Sequence, residues 1–290
     1  MRAVLVRKIQ IMTLNTQNLL TQGVMDLTYP PELRPAVLRA VESWRKFCAL
    51  PKDIRKKFPY NPGAGMGVGY EIKEMKGETL DLKEDFHLTL AARDWLIEQA
   101  RNCNEPTILE FVTNAEALIE IARPTVEAFA RLIEADFGIQ GFGDDVAGNS
   151  NWWFIRFLHY FGDREEGEEI ASAHPDKSGF TLHLYESHPG LQRLSYEGEW
   201  VEMPVSEGHT AIIPGMRLQY RSHNKLRATY HRVVANATTA AEGRFSAVCF
   251  IHPKSTAVYD KERGGRLQEF QPGFNYEMPW EEFEKLFRPE

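Results

Sequence analysis

The first half of the chain shows the three-and-four spacing of apolar residues that is typical of amphipathic helices. Within residues 32–50, Val37, Val41 and Trp44 follow this spacing, which predicts one helix with a single apolar face. Pro51 is expected to end that helix and to open a short second one, because proline lacks the amide donor but fits a first helical turn.

A second and longer helical pattern covers residues 106–137, where apolar residues dominate the helical rows. Pro124 lies inside it, so we expect a kink or a division into two helices. Gly138 is a suitable terminator. The segment MPWEEFEKLF, residues 278–287, predicts a terminal helix.

The pattern changes between residues 151 and 253, where short runs rich in aromatic and β-branched residues alternate with turn residues. Such runs predict strands, and Glu197-Gly198 between two of them predicts a hairpin turn. Several short strands at this spacing indicate a sandwich or a barrel.

The glycine-rich segment YNPGAGMGVGY, residues 60–70, raises the question of a phosphate-binding loop. That function needs a helix that begins directly after the glycines and points its amino end at the phosphate. The residues that follow predict extended structure instead, so we interpret the segment as a surface loop.

Composition narrows the class of protein. The 290 residues include 43% hydrophobic and 26% charged residues, which is ordinary for a soluble globular protein. The formal net charge is −7, and this acidic balance argues against a nucleic-acid binder. Cys48, Cys103 and Cys249 form no CxxC pair, which fits a reducing compartment. We find no signal-peptide pattern and no apolar run of membrane-spanning length, so we expect a cytoplasmic protein without a membrane partner.

Histidine is unevenly distributed, since eight of the nine lie between His159 and His252. Among them, His174 and Asp176 are two positions apart, a spacing that puts both side chains on one face of a strand. An imidazole and a carboxylate so placed can bind one metal ion. The HxD pattern alone is common by chance, and a loop histidine beside a turn aspartate is the alternative.

Two later segments add to this pattern. His231 lies in the strand-like run ATYHRVVA, and Arg244 and Ser246 share a face at the start of the run RFSAVCFIHP. An arginine fork with a neighbouring hydroxyl is suited to a carboxylate. Two histidines and one carboxylate suit a non-haem Fe(II) that keeps coordination positions open.

The order HxD, distant His, then RxS resembles the isopenicillin N synthase-like branch of the Fe(II)/2-oxoglutarate-dependent dioxygenases. The run from HPDKSGF through the GLQ segment and the Gly-x-Trp hairpin is similar to that family, as are FCALPKDIRKKF, GVGYE, LKEDFHL and IRFLHY. The resemblance covers about residues 30–255. It implies a mainly β fold with a helical N-terminal part, a double-stranded β-helix (jelly roll) flanked by α-helices.

The resemblance also implies a ligand set and a co-substrate. His174, Asp176 and His231 would hold Fe(II), and the far carboxylate of 2-oxoglutarate would pair with Arg244 and Ser246, with Tyr160 assisting. Dioxygen would be the second co-substrate. The products would be succinate, carbon dioxide and an oxidised, most simply hydroxylated, small molecule.

Three features depart from the family pattern. Thirteen residues separate His231 from Arg244 where about ten are usual, which we attribute to a longer hairpin loop, NATTAAEG. Leu158 stands where many members have asparagine, which makes the role of Tyr160 less defined. The usual first strand is weakly marked, and GVMDLTYP is the nearest candidate.

These observations predict one structural unit in three parts. Residues 1–150 form a mainly helical region that packs on the barrel, residues 151–255 form the catalytic core, and residues 256–290 form an extension with a short helix. The alternatives are a same-family Fe(II) oxidase that does not use 2-oxoglutarate, a non-catalytic jelly-roll module that binds metal structurally, and a zinc hydrolase with the same ligands.

The sequence gives little information about the identity of the substrate. Arg156 on the strand before Tyr160, and Lys177 directly after Asp176, could bind an anion, so we expect a small substrate that is anionic or amino-acid-like; structural ion pairs are the alternative. His183 lies an odd number of positions from His174, which predicts that it points away from the metal. We expect a monomer.

Overall fold

The computed structural model describes residues 15–73, 82–203, 205 and 208–254. Within them the strands are β1 (Met25–Thr28), β2 (Gly69–Lys73), β3 (Lys83–Leu88), β4 (Phe154–Tyr160), β5 (Glu169–His174), β6 (Phe180–Glu186), β7 (Leu191–Leu194), β8 (Trp200–Glu202), β9 (His209–Pro214), β10 (His231–Val234) and β11 (Arg244–Ile251). The α-helices are α1 (Gln17–Thr21), α2 (Leu33–Cys48), α3 (Lys52–Arg55), α4 (Arg93–Asn102), α5 (Pro106–Phe137), α6 (Phe142–Ala147), α7 (Met216–Arg221) and α8 (Ala237–Glu242).

The strands form two antiparallel sheets. The major sheet has the order β1-β9-β6-β11-β4-β3-β2, and the minor sheet has the order β5-β10-β7-β8. Consecutive strands of the chain repeatedly change sheet, as expected for a jelly roll. The predicted double-stranded β-helix with flanking helices is confirmed. The hairpin predicted at Glu197-Gly198 is also present, because β7 pairs with β8 and Gly198 takes a positive φ of 90°.

Helices α2 and α5 cover the outer face of the major sheet with an aromatic core. Trp44 of α2 and Phe111 of α5 have ring centroids 5.2 Å apart, and Phe111 lies 4.9 Å from Phe86 of β3 and 5.1 Å from Phe157 of β4. All four side chains are buried. This packing fixes the two strands whose opposite face turns towards the space between the sheets.

Helix α5 is continuous over 32 residues, so Pro124 does not divide it. Its apolar face is buried along the whole length, and this tertiary packing outweighs the loss of one backbone hydrogen bond at the proline. Gly138 ends the helix in the left-handed conformation, as predicted. No helix in the described part of the chain combines the length and apolar character that crossing a bilayer requires.

The first 150 residues contribute three strands to the major sheet as well as helices. The weakly marked segment GVMDLTYP contains β1, which pairs with β9, and β3 lies between β2 and β4. A purely helical addition would leave β4 as the edge of the sheet. The predicted extension 256–290, including the helix at 278–287, lies outside the described residues.

The connection between β10 and β11 is a short helix. The segment predicted as a longer loop forms α8, and the Asn236 side chain caps it by accepting from the Thr239 amide. Gly243 then takes a φ of 84°, and a Cβ there would lie 2.5 Å from the Tyr160 carbonyl oxygen. Glycine is therefore required for the chain to enter β11 beside β4.

Candidate active site

A cavity of about 260 Å³ lies between the inner faces of the two sheets. Nearly all the site residues predicted from the sequence line this cavity: His174, Asp176, His231, Tyr160, Arg244, Ser246 and Arg156. Lys177 is the exception, because it is exposed and is not part of the lining. Except for Lys177, the residues predicted to bind metal, co-substrate and substrate therefore line one cavity.

Three of these residues, which we call the inner triad, converge on one point: His174, Asp176 and His231. His174 ends β5 and pairs in register with His231, the first residue of β10, while Asp176 follows β5 after a proline. The Nε2 atoms of the two histidines lie 3.8 and 3.9 Å from Asp176 Oδ1. These distances are too long for hydrogen bonds, so the three donors face one another without bonding.

The other ring nitrogens fix the histidine tautomers. Nδ1 of His174 lies 2.6 Å from the Ser172 carbonyl oxygen, and Nδ1 of His231 lies 3.1 Å from the Thr229 carbonyl oxygen. A carbonyl only accepts, so each Nδ1 donates its proton and each Nε2 keeps a free lone pair. This is the arrangement in which imidazole binds a metal.

Electrostatics also suit a cation. Burial is the main cause that lowers the pKa of His231, so its ring stays neutral. Burial alone would raise the pKa of Asp176, but the polar groups around it, which include His231, His174 and Thr181, outweigh burial, so the pKa is lowered and the carboxylate stays ionised. Asp176 Oδ2 is buried and has no hydrogen-bond partner among the described residues. A buried, unsatisfied carboxylate oxygen between two free lone pairs fits a divalent cation.

The prediction that His183 points away from the metal is wrong. His183 lines the cavity, and its ring centroid is 5.5 Å from that of His231. The parity argument fails because His183 lies on β6 of the major sheet, whereas His174 lies on β5 of the minor sheet. Burial lowers the pKa of His183 to about 3, so the ring is neutral.

The predicted carboxylate anchor has a partner that sequence reasoning missed. Arg244 is buried, and it forms an ion pair with Glu186 of β6 and donates from Nε to the His188 carbonyl oxygen at 3.0 Å. The other oxygen of Glu186 accepts from the Val205 amide at 2.8 Å. The guanidinium is therefore fixed in direction, and its charge is balanced.

A further cation lies beside this anchor. Lys83 of β3 and Arg244 of β11 flank Tyr160 of β4 in register, and Lys83 Nζ lies 5.4 Å from the Tyr160 ring centroid. Lys83 and Lys73 both line the cavity. The alternation in LKEDFHL is the sequence signal for this position, since Lys83, Asp85 and His87 share one face of a strand.

A second group of three donors, which we call the outer triad, lies on the opposite face of the major sheet: Cys48, Glu84 and His159. Glu84 forms an ion pair with Arg55, accepts from Tyr70 Oη at 2.6 Å and lies 2.8 Å from His159 Nδ1. Burial raises the pKa of the Cys48 thiol well above its usual range, so it stays protonated. No local sequence pattern groups these three residues.

Comparisons with known proteins agree with this geometry. Residues 154–253 match the 2OG-Fe(II) oxygenase superfamily. A 2-oxoglutarate-dependent dioxygenase from Didymella fabae is 26% identical over 236 residues, which cover 71% of this chain and 68% of that protein. Jasmonate-induced oxygenase 2 from Arabidopsis thaliana is 23% identical, over 78% of this chain and 59% of its own length.

A solved structure shows the same fold. The crystal structure of a full-length Neurospora crassa protein in complex with alpha-KG and 5-formyluracil superposes with a TM-score of 0.68 at 20% identity, covering 86% of this chain and 83% of that one. The matched region 154–253 contains the inner triad and the Arg244 anchor. Residues 154–253, which hold the candidate metal and co-substrate residues, therefore belong to the 2OG-Fe(II) oxygenase superfamily, whose enzymes use Fe(II), 2-oxoglutarate and dioxygen.

Proposed function

We propose that this enzyme oxidises, most simply by hydroxylation, a small-molecule substrate in the cavity between the sheets, with succinate and carbon dioxide as co-products. The observation that carries the proposal is the convergence of three unbonded metal donors and a fixed arginine on one cavity. Bound Fe(II) would supply the redox chemistry that couples decarboxylation of 2-oxoglutarate to substrate oxidation.

The inner triad holds the metal in this proposal. His174 and His231 present Nε2 lone pairs because their Nδ1 protons are committed to backbone carbonyls. Asp176 supplies the negative charge, and its buried carboxylate gains a partner when a cation binds. His174 is exposed whereas Asp176 and His231 are buried, so one side of the site is open to incoming ligands.

The far carboxylate of 2-oxoglutarate binds at the end of the cavity marked by Arg244, Ser246 and Tyr160. Glu186 aims the guanidinium but also cancels its charge, so Arg244 acts mainly through directed hydrogen bonds. Lys83, in register with Tyr160, adds a second cation at this end of the cavity. The apolar walls, including Leu158, Leu191 and Val233, keep water away from the bound groups.

A second candidate is the Fe(II) oxidase that takes its electrons from the substrate alone. The observation in its favour is the Arg244–Glu186 ion pair, because an arginine whose charge is already balanced attracts a dicarboxylate less strongly. In that case Arg244 and Ser246 would form hydrogen bonds with the substrate instead of with 2-oxoglutarate.

An anaerobic titration separates the two candidates. The protein is loaded with Fe(II), and 2-oxoglutarate binding is followed by the charge-transfer absorbance of the complex. We expect saturable binding in the wild type and binding weakened about tenfold or more in Arg244→Met, since hydrogen bonds to charged groups are worth about 1.5–3 kcal/mol.

The matched control is Arg131→Met, which removes an ion-paired arginine of α5 whose partner is Asp144, remote from the cavity lining. It should bind 2-oxoglutarate like the wild type. Equal affinity in the wild type and Arg244→Met, together with no succinate in aerobic reactions, would decide for the oxidase.

A further inference from the structure

Arg156 lies on the cavity wall in an unusual setting. It projects from β4 on the same face as Leu158 and Tyr160, and its guanidinium carbon lies 5.5 Å from the Phe154 ring centroid and 5.3 Å from that of Phe250. Contact with ring faces uses the flat side of a guanidinium. The N–H groups on its edge stay available for an acceptor.

That acceptor is not supplied by the described part of the chain. Among those residues Arg156 has ring contacts but no ion pair, and its buried Nε lacks a hydrogen-bond partner. Asp85 on the neighbouring strand lies near enough for the Arg156 charge to help lower its pKa, but it forms no ion pair with Arg156, and its Oδ1 is 3.0 Å from His87 Nε2. Arg244 in the same cavity is balanced by Glu186. A partly buried guanidinium that lacks hydrogen-bond acceptors is costly, so a ligand carboxylate that accepts from it directly is the natural complement.

The strand register places Arg156 relative to the metal donors. Val248 of β11 pairs with Arg156 on one side and with His183 of β6 on the other. Arg156 is thus two strand spacings, about 10 Å of backbone, from His183, whose ring contacts His231. Tyr160, at the Arg244 end, lies four residues further along β4, about 13 Å away. The cavity therefore has two separate anion positions.

We propose that the substrate is a small carboxylic acid whose carboxylate pairs with Arg156 and whose apolar body extends along Val248 and Phe250 towards the inner triad. This inference rests on the proposed function, because it assigns one anion position to 2-oxoglutarate and the other to the substrate. The Phe154 and Phe250 rings give the acid an apolar surround in which a guanidinium–carboxylate pair is strong.

Matched pairs of ligands test the proposal by binding rather than turnover. The probes are benzoate, phenylacetate and hexanoate, each compared with its carboxamide, on protein loaded anaerobically with Fe(II) and 2-oxoglutarate. Calorimetry and the thermal unfolding midpoint report binding. We expect at least one acid to bind the wild type about tenfold or more tightly than its amide, and Arg156→Met to lose that preference.

The matched control is Arg227→Met, which removes another arginine stacked on an aromatic ring, that of Tyr196, outside the cavity lining. It should keep the preference for the acid. Should Arg156→Met not fold, Arg156→Gln takes its place, and Arg156→Lys should retain part of the preference because the charge remains.

Two outcomes overturn the inference: the wild type shows no acid–amide preference, or Arg156→Met retains one. Binding of Fe(II) and 2-oxoglutarate is measured on the same samples. If both bind and the preference is missing, only the carboxylic-acid inference fails. If neither binds, the proposed function fails and the inference fails with it.

Discussion

The inner triad and the outer triad each bring a carboxylate and at least one imidazole within metal-binding distance, yet their charges are balanced in opposite ways. In the inner triad the donors face one another unbonded, and one oxygen of Asp176 has no partner among the described residues. In the outer triad Glu84 accepts from Arg55, Tyr70 and His159, so its oxygens are already occupied.

This difference between the triads shows that closeness of three donor atoms is not sufficient for a metal site. Three donors within reach of one point make a metal site only when their lone pairs are free and their negative charge lacks a cation. Arg55 is the cation of the outer triad, and the Cys48 thiol stays protonated. The outer triad is therefore a structural anchor between β3, β4 and the helices that cover them.

The largest expected effect separates the two triads by metal affinity. Asp176→Asn keeps the shape of the side chain but removes its charge, so we expect Fe(II) binding to weaken about 100-fold or more, since even residues behind the ligands cost about 10–100-fold when mutated. Glu84→Gln should bind Fe(II) like the wild type. Anaerobic Fe(II) titration measures both, and equal losses in the two variants would remove the distinction.

The next effect separates the triads by stability. Glu84→Gln leaves the Arg55 guanidinium without its counter-ion, and the Arg55 side chain is only 13% exposed. We therefore expect this variant to lower the free energy of unfolding by about 3 kcal/mol. Glu110→Gln is the matched control, because its pair with Lys46 is about half exposed and should contribute less than about 1 kcal/mol. Urea unfolding measures both; similar values would mean that Glu84 is not an anchor.

The smallest effect concerns pH and His159. Burial is the main cause that lowers its pKa to about 4, and the charges of Arg55 and Arg45 act in the same direction. The unfolded value is about 6.5, so the neutral ring contributes stability that is complete above about pH 6.5 and is lost as pH falls towards about 4. His159→Phe, which can still stack on Phe245, should lose about 2 kcal/mol less than the wild type over that range.

This pH prediction is checked by urea unfolding at about pH 7 and about pH 4.5, on either side of the unfolded pKa. All other titratable groups are the same in both proteins, so the difference between their losses of stability isolates His159. Parallel losses of stability in the wild type and the variant would contradict a depressed pKa at this position.

The sequence was most informative where the signal is local. The spacing of His174 and Asp176, the Arg244–Ser246 pair and the hairpin at Gly198 all depend on strand alternation or turn chemistry within a few residues. The motif order then led to the correct family and fold. The short segment containing β1 also became identifiable once that order was recognised.

Features that depend on long-range register could not be predicted. The Glu186–Arg244 pair joins β6 to β11, and the position of Lys83 depends on β3 pairing with β4. His183 was misplaced because the parity of its position has meaning only within one strand. The outer triad needs α2 docked on the sheet, and no local pattern shows which helix face meets which strand.

Helix α8 has a consequence for how this enzyme can diversify. It joins β10, which begins with an inner-triad histidine, to β11, which begins with the anchoring arginine, and Gly243 resets the backbone before the arginine is reached. The additional residues form a capped turn of helix whose Thr239 and Ala240 are buried against the barrel. We expect that a segment inserted between the exposed Ala241 and Glu242 would leave His231 and Arg244 in place, which makes this junction a suitable point for grafting.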